Sequence, residues 1–396
     1  MTANRTGFLL ILFIAVAIVV LGVIWNPNRD GVLKGTTLSP DTVVARVQSV
    51  QTYSDALRAL LQATRADPTN LDAAKRAARA TIDAGRDAGD SRMVGASLGI
   101  LRPFLTDPDS QTLYLAATAR QYQHDFPGAL KLLDQALLMD PGDVNARLSR
   151  ATIQTVLGRY DLAEPDCHAL PNAGGIGLLC QATTLLMTAK APAVAKRLAL
   201  MVQHPELLDP ALQPWALGLL GELAELNNDN ATARDYLQQV LVLDPKSIRD
   251  RLILADLLLQ DGMADQVAPL LKDAPPTDGV LIRRVLAAQA LNTDSARDRA
   301  DLAKRFQLNL DLGLTAHARE EARYFLDIAK DPAMALQRAQ VNWALQHEYE
   351  DARLLIDAAI AAGQVSAAQP VLDWAKQQGV TAPALHLDDL AKRLAP

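Results

Sequence analysis

Cys167 and Cys180 stand 13 residues apart, on either side of Pro171-Asn172-Ala173-Gly174-Gly175. Two thiols at that separation can close one disulfide, or lie separately buried as small apolar groups. His168 adjoins Cys167 and would be a third soft ligand. The chain holds six His and two Cys in all, with no Cys-x-x-Cys and no His-x-x-x-His pair, so no metal site is expected. His317 and Glu321 share a helix face at i, i+4, a spacing ordinary on solvated surfaces. Gly174-Gly175-Ile176-Gly177 is glycine-rich but lacks the Lys-Ser/Thr of a phosphate loop, and reads as a connection. Asn227-Asn228-Asp229-Asn230 resembles half a calcium loop without the closing Glu, and reads as a turn. Glu348-Tyr349-Glu350-Asp351 and the run from Arg297 to Arg305 are charge-rich and read as solvated helix faces. No nucleophile, acid–base pair or cofactor motif emerges. The expectation is a protein that is no enzyme, holds no cofactor and takes no small-molecule substrate.

Composition points the same way. The 396 residues are 49% apolar and 21% charged, which excludes a disordered chain. Aromatic residues are only 4%, so Ala and Leu must fill the core, which favours close-packed helices over sheets. The net charge of −6, with no basic run, leaves out the electrostatic footprint of nucleic-acid binding.

The elements that would position these residues recur. Asp-Pro appears at 67–68, 107–108, 140–141, 209–210 and 244–245, at intervals of 40, 33, 69 and 35 residues. A fixed period in this range signals a solenoid of supersecondary units. The apolar spacing between the marks is helical and comes in pairs of about a dozen residues. Pro after Asp is expected to stop each second helix. The stretch Ser110 to Asp143 shows the unit: Leu113, Tyr114 and Ala117 on one helix, a turn near His124-Asp125, then Ala129, Leu133 and Ala136 on the next. Pro165 is expected to interrupt a second helix. Beyond residue 277 the pattern weakens. Asp331-Pro332 reads as a helix start, and Ala335 with Ala339, Ala352 with Leu355, and Ala367 with Val371 still mark pairs. About ten hairpins are expected from Pro40 to Gly379, with a short cap from Ala384.

Ala117, Ala129, Leu133, Ala136 and Pro141 hold the small, small, large, small and proline positions of a tetratricopeptide repeat (TPR), and the chain resembles that family. Leu220-Gly221, Ala233, Leu237 and Pro245 make the best later copy. The resemblance implies an all-α fold, an α-solenoid of TPR-like hairpins that binds partner proteins along its first helices. The family's groove positions fall on Gln111, Tyr114, Thr118 and Gln121, on Asn145, Ser149 and Thr152, and on Glu222, Arg249 and Asp256. It also makes the helices bearing Cys167 and Cys180 neighbours, so that a bridge between them is plausible in an oxidising compartment.

Phe8 to Trp25 is an uncharged apolar run of 18 residues. As a helix it would rise roughly 27 Å, close to the hydrocarbon thickness of a bilayer. It is longer than the apolar core of a signal peptide, and no small-x-small site follows it. An uncleaved N-terminal transmembrane helix is expected. Flanking charges are almost balanced, and the head of seven residues favours an inside N-terminus. The chain thus divides into an anchor (1–25), a linker (26–39), a TPR array (40–276) and degenerate TPR-like repeats with a cap (277–396). With its anchor it resembles the bacterial single-pass membrane-anchored TPR proteins. That implies a tethered scaffold at the inner membrane, its body in the periplasm or, in the alternative, a regulator facing the cytoplasm. A site in the C-terminal third is the remaining, enzymatic, alternative.

Overall fold

The computed structural model describes residues 54–88, 91–171 and 173–395. The run Phe8 to Trp25 and the linker lie outside them. Asp55–Pro396 forms one compact unit, and no helix among the described residues is long and apolar enough to cross a membrane.

The described chain is an all-α solenoid. A lone helix α1 (Asp55–Ala66) precedes six hairpins: α2 (Leu71–Ala88) with α3 (Ser91–Leu101), α4 (Ser110–Tyr122) with α5 (Phe126–Met139), α6 (Val144–Val156) with α7 (Tyr160–Ala169), α8 (Ile176–Leu185) with α9 (Ala191–Gln203), α10 (Gln213–Leu226) with α11 (Asn230–Leu243), and α12 (Ile248–Gln260) with the short α13 (Val267–Leu270). Then follow α14 (Asp278–Ala290), α15 (Ala296–Asp311), α16 (Ala318–Arg323), α17 (Pro332–Trp343), α18 (Tyr349–Ala361), α19 (Gln369–Gln378) and α20 (Leu387–Leu394). Consecutive helices pack on one another from α1 to α15 and again from α16 to α20, and the first helices α2, α4, α6, α8 and α10 also touch in succession.

The reason lies in side-chain size. Ala117, Ala129, Leu133 and Ala136 are fully buried between α4 and α5. Small residues let the two backbones approach, and the Leu fills the groove between them. In the later copy a side chain at Gly221 would press on Leu237 Cγ at 3.2 Å, so the helix crossing is set by the missing Cβ. Most first-helix entries are capped by a short polar side chain. Asp109 accepts from the Thr112 amide at 2.8 Å, Asp143 from the Ala146 amide at 3.1 Å, and Asp229 from the Thr232 amide at 3.1 Å at the start of a second helix.

Several expectations need correction. Asp209-Pro210 does not end a helix. α9 stops at Gln203, and Asp209 caps a 3₁₀ turn, Pro210–Leu212, that leads into α10. Pro165 does not break α7, which runs unbroken from Tyr160 to Ala169. Pro165 is the sixth of its ten residues and forgoes the one hydrogen bond its amide would make to the Asp161 carbonyl, while the helix continues on either side. The second helix after α12 shrinks to the four residues Val267–Leu270, preceded by a 3₁₀ turn at Ala264–Gln266 and carrying Pro269 within it. Asp331-Pro332 does start a helix: Asp331 accepts from the Met334 amide at 3.0 Å, with Pro332 at the first helical position.

Candidate functional site

The residues expected to line the groove all stand on first helices. On α4, Gln111 is exposed and Tyr114, Thr118 and Gln121 are half-buried; on α6, Asn145 is exposed and Ser149 and Thr152 are half-buried. Thr118 and Thr152 donate to the carbonyls of Tyr114 and Leu148 in their own helices, at 2.9 and 2.8 Å. The Arg79 guanidinium lies 5.6 Å from the Tyr114 ring centre, a cation–π contact between neighbouring hairpins. This set forms a polar face across two adjoining hairpins.

The other three are engaged by the chain itself. Arg249 on α12 pairs with Glu222 on α10 through both guanidinium nitrogens. Asp256 accepts from Arg283 on α14 and from Arg323 on α16, the latter at 2.9 Å for one contact. The two guanidinium groups hold the Asp256 carboxyl down at about 2 in spite of its burial. Arg323 comes from the C-terminal third, so that segment reaches back to the array.

It does so at several points, and the contacts follow the turns of successive hairpins. The His347 amide donates to the Val156 carbonyl at 2.7 Å, and His347 Nδ1 lies 3.0 Å from the Leu157 carbonyl. Trp374 Nε1 donates to the Gly158 carbonyl at 3.1 Å, and the Gln378 side chain accepts from the Tyr160 amide at 3.0 Å. The Thr381 amide donates to the Met187 carbonyl at 2.7 Å, beside an isolated bridge between Thr188 and Val380. One core cluster joins Tyr160, Met187 and Leu226 of the array to Trp343, Leu355, Val371, Trp374 and Leu385. Trp343 and Trp374 meet edge to face at 5.4 Å, and His347 stacks on Trp374. Gly158 has φ +66°, and a side chain there would strike Trp374 and His347.

The charged segment at 348–351 is only partly a solvated face: Glu350 is exposed, whereas Asp351 is buried. Asp351 is 1% exposed, and it accepts from Arg319 at 2.6 and 2.9 Å and from Asn342 at 2.6 Å. Burial pushes its carboxyl up to about 6, while Arg319 holds the neighbouring Glu348 below its usual range. The helical period placed Asp351 on a helix but could not say what would cover it. His317 and Glu321 do not act together either. His317 Nδ1 lies 3.3 Å from Asp278, whose hydrogen bond raises the imidazole pKa, and buried Glu321 pairs with Arg338. Among the described residues no cluster of His, Cys, Asp and Glu could hold a metal.

Cys167 and Cys180 are joined in a disulfide between α7 and α8, with a Cα separation of 5.2 Å, and both are buried. Asn227–Asn230 is the turn from α10 to α11, with Asn228 left-handed at φ +61°. Gly174 and Gly175 are likewise left-handed in the connection before α8.

A cavity of about 540 Å³ opens beside that turn. Glu225, Asn228 and Asn230 line it from the array, and Tyr349, Arg353, Asp357 and His386 from the C-terminal helices. Its lining comes from two distant stretches, 225–260 and 349–393, so no local signal could have joined them.

No protein-family model matches the chain, and no curated protein matches its sequence. Solved structures resemble it at low identity. The APC/C hetero-tetramer Cut9–Hcn1 aligns with TM-score 0.42 and 14% identity over 86% of this chain and 72% of that one. Yeast Tom70 aligns with TM-score 0.37 and 11% identity over 85% and 84%. A tetratricopeptide repeat protein from Parabacteroides merdae aligns with TM-score 0.24 and 17% identity over 81% and 99%.

Proposed function

We propose that this protein is a scaffold that binds partner proteins on its first-helix face, tethered to the inner membrane through Phe8 to Trp25 with its body in the periplasm. The observation that carries the reading is the contrast between the two halves of that face. Glu222, Arg249 and Asp256 are consumed by ion pairs within the chain. Gln111, Tyr114, Thr118, Gln121, Asn145, Ser149 and Thr152 keep solvent access and form a polar face of the kind that reads an extended segment. A tether would raise the effective concentration of the scaffold towards envelope partners. The Cys167–Cys180 bridge supports an oxidising compartment over the cytoplasm. Assembly, secretion or maturation of an envelope complex is the business such an adaptor would serve.

Photo-crosslinking residues at Gln111 or Thr118 in native membranes test this. The same discrete adduct is expected from both positions and is lost when the probe stands at Asp256. Equal labelling from all three positions, or none, overturns the assignment of the face. A reporter joined after Pro396, active only on the cytoplasmic side, overturns the periplasmic placement.

A further inference from the structure

The cavity beside the Asn227–Asn230 turn carries a second site. Its volume of about 540 Å³ lies within the range of ligand sites. One wall is apolar: Ile356, Ile360, Leu385 and Leu390 contribute to it, and Ile360 keeps 37% of its surface exposed. The floor is Glu225, at the last turn of α10. Among the described residues its half-buried carboxyl receives no side-chain hydrogen bond and no ion pair.

The charges around Glu225 decide what it wants. Burial raises its pKa most, and the charges of Glu350 on α18, Glu222 on its own helix and Asp256 on α12 raise it further. Arg353 on α18 acts on it as a cation but is shared with Asp357 at 3.7 Å and with Tyr349, and Arg249, Arg283 and Arg323 are spent on Glu222 and Asp256. At the rim, Asp389 is held by Lys392 at 2.9 Å, while His386 and Arg393 are exposed and solvated. Of the lining carboxyls, Asp357 and Asp389 have cationic partners and Glu225 has none, so Glu225 is the one open to a cation brought by a ligand. A cation on an aliphatic stem meets both features, since the stem would cover the apolar wall.

We propose that this cavity takes an arginine or lysine side chain presented by an extended segment of a partner protein, with Glu225 as counter-ion and Ile356 and Ile360 against the stem. The site deepens the scaffold reading and rests on it only for the source of the side chain. It is separate from the face on α4 and α6.

Calorimetry on the full-length protein tests it, with capped arginine (Nα-acetyl-arginine N-methylamide) as probe and the capped citrulline and glutamate analogues as controls. Capped arginine should bind saturably at pH 7, and citrulline at least about tenfold more weakly. Glu225 starts protonated and must ionise to pair, so binding should release a proton. The measured heat will then change with the ionisation enthalpy of the buffer. Glu225→Gln should abolish that proton release and weaken capped arginine at least about tenfold. Gln resembles the protonated carboxyl, so an unchanged circular dichroism melt at pH 5 checks the fold. Ile360→Ser should weaken capped arginine without affecting proton release. No saturable binding, equal affinity for citrulline, preference for glutamate, or indifference to Glu225→Gln each overturns the proposal. None of these results bears on crosslinking from Gln111, so the two readings can fail separately.

Discussion

Glu225 shows how much a single carboxyl can depend on its surroundings. Burial and the neighbouring Glu350, Glu222 and Asp256 push it up to about 8. An unfolded glutamate loses its proton near pH 4.5, so between about 4.5 and 8 the folded chain holds a proton that the unfolded chain has released. Stability from this group therefore falls as pH rises through that window and is constant above it. Glu225→Gln should match wild type at pH 5 and exceed it at pH 9 by about 1 kcal/mol, after allowance for solvent screening. Urea unfolding at the two pH values measures this, and equal differences at both would contradict it. Asp256 has the opposite sign. Two arginines lower it to about 2, so its contribution is present above the usual carboxylate range and is lost only as pH falls through about 2. Asp256→Asn leaves the nearly buried Arg283 short of its carboxylate. It should cost about 3–5 kcal/mol in the same assay.

At the scale of the element, the hairpin is held by a few fully buried positions. Leu133 and Leu237 occupy the same place in two copies, each without exposed surface. Leu133→Ala or Leu237→Ala should cost about 2–5 kcal/mol. Because hairpins support one another, the loss should spread to the neighbours. Amide exchange ought to quicken across α4–α7 for the first variant and α10–α12 for the second. Exchange confined to the mutated helix would contradict the stacking account. The disulfide acts on the α7–α8 connection. Closing a loop of 13 residues stabilises by about 3 kcal/mol in the chain-entropy model, so the Cys167→Ser/Cys180→Ser double variant should melt lower by a comparable amount. The hairpins at 110–143 and 214–245 were legible in the sequence because each motif position lies within reach of its partner along the chain. The shortened α13 was not, since the apolar spacing there does not distinguish one long helix from a 3₁₀ turn followed by a single α-helical turn.

At the scale of the whole unit, the C-terminal helices fold back along the turns of α6–α7, α8–α9 and α10–α11. The Trp374–Gly158 contact is one of the points where these distant segments meet, at 3.1 Å and with no room for a side chain at Gly158. Trp374→Ala should cost about 3–5 kcal/mol. Limited proteolysis should then release a C-terminal fragment that wild type protects. Gly158→Val should produce the same pattern from the opposite side, through strain at φ +66° and collision with Trp374. Protection equal to wild type in both variants would show that the fold-back does not depend on this contact. The scarce aromatic residues take on a meaning here. Two of the four Trp, with His347 and Tyr160, sit at this junction, where a wide gap between elements of different register must be filled.

The sequence by itself determined the helical hairpins, their turns, most of their caps and the first-helix positions, because these depend on residues within about one period of each other. Only the tertiary structure decided which of those positions stay open. Glu222, Arg249 and Asp256 look like Gln111 and Asn145 in a repeat alignment, yet their charges are met by one another and by Arg283 and Arg323. Asp351 is polar in the sequence and buried in the fold, and Glu225 becomes a cavity floor only when α18 and α20 arrive from over a hundred residues away. A repeat period records contacts with the next unit. It carries no record of a chain that closes on itself, since those contacts occur once and have no spacing to repeat.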